Sequence, residues 1–193
     1  MPFLVPVPLE PPLEEPVTFE QGKVWLRVDN PDEYDLVSTL QVAARMIVEA
    51  ETGRRLISQT WRLVMDAWPL DGLALKVPLT PLISVEAVRL FDARSQPSLL
   101  SSDAFFVDAA SDPGRIVFAS PPPEPGRKVS GIEVDVTAGY GESADDVPAP
   151  LRQAVLLLMA NWYAQRDNRD LRIDKGLPSE VMPLVAPYRT RRL

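Results

Sequence analysis

The sequence predicts an α+β protein: a small helical bundle of two N-terminal helices and one long C-terminal helix, an inserted antiparallel β-sheet or barrel-like region, and extended arms at both ends. Three observations carry that prediction. Apolar residues recur at helical spacing across residues 31–52 and 150–167. Between them, residues 57–138 change to short alternating runs separated by turn residues. Prolines crowd residues 1–16, and residues 171–193 hold too few apolar positions for a core of their own. One domain over residues 17–170 is expected between the two arms.

In residues 1–16, prolines at 2, 6, 8, 11, 12 and 16 exclude both a helix and a central strand. The stretch reads as an extended arm, either disordered or laid on a neighbour. Residues 18–28 form a short helix capped by Thr18, with Phe19, Val24 and Trp25 near one face and Gly22 as a weak point. The next helix covers 31–52. Asn30 caps it, Pro31 suits its first turn, and Asp32 and Glu33 favour its positive end. Leu36, Val37, Leu40, Ala43, Ala44, Ile47 and Ala50 follow at helical spacing, and Gly53 stops it.

Strands are expected at 57–65, 74–77, 85–91, 105–107, 115–118 and 132–137. Turn material lies between them at 69–72, 92–97, 112–114 and 121–126. Asp146-Val147-Pro148-Ala149-Pro150 then breaks the chain before the last helix, 150–167. Leu151, Ala154, Val155, Leu158, Met159, Trp162 and Tyr163 cover one broad face of that helix, and Leu156 and Leu157 widen it. A helix apolar around most of its circumference packs between other elements.

Composition removes whole classes of chemistry. The chain has no cysteine and no histidine. Disulfides, thiolate nucleophiles, serine-histidine triads and histidine-ligated zinc are impossible within it. No cofactor is implied. Net charge is −7, so bulk attraction to nucleic acid is not expected. Charge is uneven: Glu10, Glu14, Glu15 and Glu20 lie in a head without Lys or Arg, while Arg172, Lys175, Arg189, Arg191 and Arg192 weight the tail. No signal peptide or membrane-length apolar run is visible, so synthesis in a bacterial cytoplasm and no membrane partner are expected.

The candidate chemical motifs are weak. Gly139-Tyr140-Gly141 lacks the Lys-Ser/Thr that a phosphate loop needs and serves a turn between the last strand and last helix. Glu14-Glu15, Asp32-Glu33 and Asp145-Asp146 are adjacent pairs, whereas glycosidic chemistry needs carboxylates opposed across a cleft. The loop 108–112 lacks the alternating pattern of an EF-hand. Trp25, Trp61, Trp68 and Trp162 suit core packing, with Trp68 the candidate for an exposed contact. The tail reads GLPSEVMPLVAPYRTRRL, and a segment of that kind orders on a partner rather than alone.

Several local patterns occur together in order: Lys23-Val24-Trp25-Leu26-Arg27-Val28-Asp29, Glu49-Ala50-Glu51-Thr52-Gly53-Arg54, Gln59-Thr60-Trp61, Thr137-Ala138-Gly139-Tyr140-Gly141, Val147-Pro148-Ala149-Pro150-Leu151-Arg152-Gln153-Ala154 and Pro187-Tyr188-Arg189. In this order they resemble the head–tail connector (adaptor) proteins of tailed phages, in the branch found in prophages and gene transfer agents. The resemblance spans residues 17–193; the proline-rich arm departs from it.

It implies a non-enzymatic subunit of a ring, commonly a dodecamer, beneath the portal in the neck of a phage-like particle. The ring extends the DNA channel, without sequence-specific DNA binding, and receives the next neck or stopper protein. The C-terminal segment would dock on the portal protein. On this chain Met182, Leu184, Val185, Tyr188 and Leu193 would be apolar contacts and Arg189, Arg191 and Arg192 charged ones. In such a ring Arg54, Arg55, Arg166 and Arg169 are candidates for facing DNA; otherwise they are cations at helix C-termini. Many tails on one ring would make a weak single contact firm. The competing readings are a stopper or tail-completion protein and a carboxylate-dependent cell-wall hydrolase.

Overall fold

A computed structural model describes residues 4–69, 71–166 and 177–189. The chain divides into two units, Met1–Pro12 with Ser58–Tyr140 and Leu13–Ile57 with Gly141–Leu193. The first is built of strands and the second of helices, in line with the expected α+β class.

The strands of the first unit are β1 (Leu4–Glu10), β2 (Gln59–Met65), β3 (Ala74–Lys76), β4 (Leu82–Phe91), β5 (Pro97–Leu99), β6 (Phe105–Asp108), β7 (Arg115–Phe118) and β8 (Ile132–Ala138). They form a five-stranded sheet ordered β1-β2-β8-β4-β5 and a three-stranded sheet ordered β3-β7-β6. Every pairing is antiparallel, and neither sheet closes into a barrel. Alternation decides what is inside. Val134 of β8 lies opposite Leu63 of β2 and Val88 of β4. These residues join Ile132, Val136, Leu75, Ile116 and Phe118 in one apolar core.

Two strands fall outside the sequence expectation. Residues 4–10, expected as an arm, are the edge strand β1 of the chain's own sheet. Pro6 and Pro8 at alternate positions place their missing N–H groups on one side, which an edge strand leaves unpaired. Pro97, expected in the turn 92–97, and residues 98–99, outside every expected strand, add β5 to the other edge. Trp68, expected as an exposed contact, is half-buried: its Nε1 donates to the Pro123 carbonyl at 2.9 Å and its ring meets Phe118 edge-on.

On the other face of β8, between Glu133 and Thr137, Asp135 is the buried residue. It is 6% exposed and accepts from Arg62 Nε at 2.7 Å and Arg62 Nη2 at 3.0 Å, and also from Arg89. Burial by itself pushes the Asp135 carboxyl up, but the hydrogen bonds and charges of Arg62 and Arg89 outweigh it and hold the group below the usual carboxylate range.

In the second unit, α1 (Phe19–Leu26), α2 (Tyr34–Thr52) and α3 (Ala149–Gln165) pack pairwise, and the short α4 (Met182–Val185) packs on α2 and α3. Thr18 caps α1 in a reciprocal box with Gln21, at 3.2 and 3.0 Å. Gly22 is where the three long helices meet: a Cβ there would lie 3.0 Å from Met159 Cε and 3.6 Å from Val37 Cγ1. Close packing, rather than a helix break, explains this glycine. Asn30 caps a 3-10 turn at Pro31–Glu33 that leads into α2, and Gly53 ends α2 at φ 73°.

The buried face of α2 is rotated from the expected one. Val37, Gln41, Ala44, Arg45, Val48, Glu49 and Thr52 are inside, while Ile47 and Ala50, expected on the core face, are exposed. The reason is polar: Arg45 and Glu49 have partners inside the unit, described next.

Replacing Asp135 by Asn leaves Arg62 and Arg89 without their shared anion. Because both arginines are partly exposed, the expected cost is about 2 kcal/mol, or about 5 °C in the thermal midpoint. The native carboxyl binds its proton less readily than in the unfolded chain, where its pKa is about 3.9. Its contribution is therefore complete at neutral pH and is lost as pH falls through the lower folded value. Thermal melts of the two proteins should differ at pH 7 and converge in acid.

Candidate functional site

The C-terminal half of α2 gathers the polar groups that hold the helical unit together. Glu49 is 3% exposed. Its Oε2 accepts from Arg45 Nη1 and Arg55 Nη1, each at 3.2 Å, and its Oε1 accepts from the Leu56 amide at 2.9 Å. Arg45 turns its Nε to Glu15 Oε2 at 2.8 Å. One turn earlier, Gln41 Nε2 donates to the Val17 carbonyl. The residues before α1 and those after α2 are thus both tied to one helix face. Burial pushes the Glu15 carboxyl up; the Arg45 hydrogen bond and charge offset only part of that shift, and Glu49 adds to it.

The same helix end receives the C-terminal segment. Val181 and Val185 are fully buried in the unit. Arg54 Nε donates to the Tyr188 carbonyl at 2.6 Å, Arg189 pairs with Glu51, and Arg189 Nη2 lies 3.5 Å from Met182 Sδ. Residues 177–189 are therefore ordered by their own chain, contrary to the expectation that a partner must order them. Two buried valines are enough to seat a segment already held at Tyr188 and Arg189.

The predicted contact residues separate accordingly. Val185 is core and is not available to a partner. Met182, Leu184 and Tyr188 are half-buried, and Arg189 is exposed beside Glu51. Arg191, Arg192 and Leu193 lie outside the described residues, as does Arg169. Of the candidates for facing DNA, Arg54 holds Tyr188 and Arg55 holds Glu49. Arg166 stacks on the Tyr163 ring at 3.9 Å, with Glu33 Oε2 3.8 Å away. The described residues thus present no common basic face made by these arginines.

Between α1 and α3 lies a groove of about 510 Å³, lined by Val17, Val24, Trp25, Ala149 and Leu156 together with Glu20, Gln21, Arg152 and Gln153. Val24 is 76% and Trp25 43% exposed. Of the four tryptophans, it is Trp25 that offers an open aromatic surface here, not Trp68. Sequence reading missed both this groove and the Arg45–Glu49 pair. The available signal for the pair was its i,i+4 spacing on a helix whose other positions lack charge from 38 to 50.

In the strand unit, Asp108 is bound by its own loop. Hydrogen bonds from Ser111, then from Arg115, lower its carboxyl to about 2. A carboxyl held ionised in this way has no proton to donate as a general acid at neutral pH. Among the described residues, no group of three or more Asp, Glu, His or Cys side chains is placed to hold a metal ion. No helix among them is long and apolar enough to cross a membrane.

Neither the protein-family models nor the curated proteins contain a match to this chain. Solved structures do. The chain is similar to one from the neck of an empty GTA particle computed with C6 symmetry, at 29% identity and TM-score 0.79 over 98% of this chain and 97% of that one. It is similar to a chain in the virion of a native gene transfer agent (GTA) particle, at 26% identity and TM-score 0.79 over 98% and 97%. It is also similar to a chain from the neck of a native GTA particle computed with C12 symmetry, at 30% identity and TM-score 0.72 over 99% and 97%.

Two substitutions test the polar seat. Glu49→Ala removes the shared acceptor of Arg45, Arg55 and the Leu56 amide, and should cost about 3 kcal/mol in urea unfolding. Val185→Asp puts an unpaired charge in the core under α4. It should leave the rest of the unit folded while making the bond after Arg189 more sensitive to limited trypsin digestion.

Proposed function

The chain belongs to the family of gene transfer agent neck proteins, and we propose that within such a neck it is the adaptor, the ring subunit that joins the portal to the next neck protein. The observation that carries the reading is the extent of the likeness. It runs over almost the full length of both chains, so both units and the C-terminal segment have counterparts in a particle neck. The order of short sequence patterns described above points to the same branch.

The role is structural. A ring of cyclic symmetry, with twelve copies the expected number, encloses the path of DNA without reading it. The net charge of −7 suits a conduit through which DNA slides, because phosphates find little to hold them. Channel contacts fall to residues other than Arg54 and Arg55, which serve the chain's own fold.

Portal docking belongs to the end of the chain. The seat on α2 fixes the segment up to Arg189, and the residues that follow are Thr190, Arg191, Arg192 and Leu193. A pre-seated segment loses less conformational freedom on binding than a free tail would. Repetition around the ring adds avidity to a short contact. Tyr188 and the arginines are residue types enriched at binding hot spots.

Co-sedimentation with the portal protein tests this reading. The full chain should co-sediment, and a chain ending at Tyr188, which keeps Val181 and Val185 in the core, should lose at least about 10-fold in affinity. Undiminished binding by the shortened chain would move the docking site elsewhere. Recovery of tail proteins and no portal would assign the chain to a stopper or tail-completion position instead.

A further inference from the structure

We propose that two touching loops of the strand unit, residues 92–96 and 126–130, form a basic patch that holds the phosphate backbone of duplex DNA without reading its bases. The choice of DNA as the polyanion rests on the ring reading above; the patch itself follows from the strand unit alone.

The first observation is where the unpaired cations of that unit lie. Arg62 and Arg89 meet the Asp135 carboxylate, Lys76 meets Asp71 at 3.1 Å, and Arg115 meets Asp108 at 2.5 Å. The unit's remaining cations are Arg94, Arg127 and Lys128, and they form no ion pair among the described residues. All three fall on the two loops. Arg94 and Lys128 are exposed.

The second observation brings the loops together. Both are fastened to Phe91 at the end of β4. Its carbonyl accepts from the Gly126 amide at 2.9 Å and the Arg127 amide at 3.1 Å, and its own amide donates to the Gly131 carbonyl at 2.9 Å. A Cβ on Gly126 would lie 2.5 Å from the Ala93 nitrogen, so the backbones touch immediately before Arg94 and immediately before Arg127. The Arg127 guanidinium lies over the Phe91 ring at 3.9 Å and donates to the Ser130 carbonyl. Arg127 thus fixes the second loop while keeping its charge.

The third observation is what the nearby acids do. Asp92 Oδ1 accepts from the Arg94 and Gln96 amides, each at 2.8 Å, and Asp66 Oδ1 accepts from the Ser130 amide at 2.7 Å. These carboxylates shape the loops instead of pairing with the cations. Glu124, exposed, is the acid left on the approach to the second loop.

Phosphate contacts ask for charge and hydrogen-bond donors. Arg94 and Lys128 supply the first, and the exposed Ser95 and Gln96 add the second. A protein contact centres on buried apolar anchors. Of these loops, only Val129 offers a large exposed apolar side chain, at 68%. The net charge of −7 keeps the hold local and easily screened by salt, which suits DNA that has to move.

Fluorescence anisotropy of a short labelled duplex tests this with the isolated full-length chain. The wild-type chain should bind at low salt and lose affinity as salt rises. Arg94→Gln with Lys128→Gln should weaken binding about 10-fold, lower the salt slope by about 2 and keep the wild-type thermal midpoint, since both side chains are exposed. Lys76→Gln removes an exposed cation that is paired with Asp71, and should bind as wild type. No binding by the wild-type chain at low salt would overturn the proposal, as would undiminished binding by the double variant. A loss from Lys76→Gln equal to that from Lys128→Gln alone would reduce the effect to bulk charge and overturn the patch. Displacement of the duplex by poly-glutamate at a lower charge concentration than by unlabelled duplex would assign the patch to an acidic protein surface instead. The ring reading is judged separately, by co-sedimentation of the wild-type chain with the portal protein.

Discussion

The helical unit depends on one buried carboxylate. Glu49, 3% exposed, accepts hydrogen bonds from two arginines and a backbone amide. A buried acid without these partners would be costly, and the arginines without the acid equally so. Satisfying the set fixes several things at once. It holds the chain before α1 through Glu15, it holds the chain after α2 through Arg55 and Leu56, and it sets which face of α2 is inside. The seat for the C-terminal segment follows, because Arg54 and Glu51 flank the same helix end.

The strand unit uses the same device at another place. Asp135 sits on the central strand β8 and draws in an arginine from each neighbouring strand. On one side of the sheet the core is apolar and closed by packing; on the other a shared anion crosses three strands. In each cluster the carboxylate is taken up by arginine hydrogen bonds. Both clusters hold separate stretches of backbone together.

Much of the fold was readable in advance. The caps at Thr18, Asn30 and Gly53, the three long helices and six of the strands follow from period and local chemistry, with ends displaced by a few residues. The edge strands β1 and β5 were not readable, because their residues carry prolines and little alternation and pair only where a neighbouring strand offers an open edge. The seat of the tail was equally hidden. GLPSEVMPLVAPY looks too sparse to order alone, and Val181 and Val185 become core only because α2 and α3 supply the rest of it.

The sequence by itself determined the class of protein, the chemistry it cannot perform and the order of its elements, because those depend on residue type and on contacts a few positions apart. Only the tertiary structure decided which side of α2 faces inward. Periodicity marks an apolar stripe, but it cannot weigh that stripe against a buried ion pair whose partners, Glu15 and Arg55, lie on separate segments. Satisfying those charges at long range outweighed the local pattern, and so left Val42, Met46 and Ile47 on the outside.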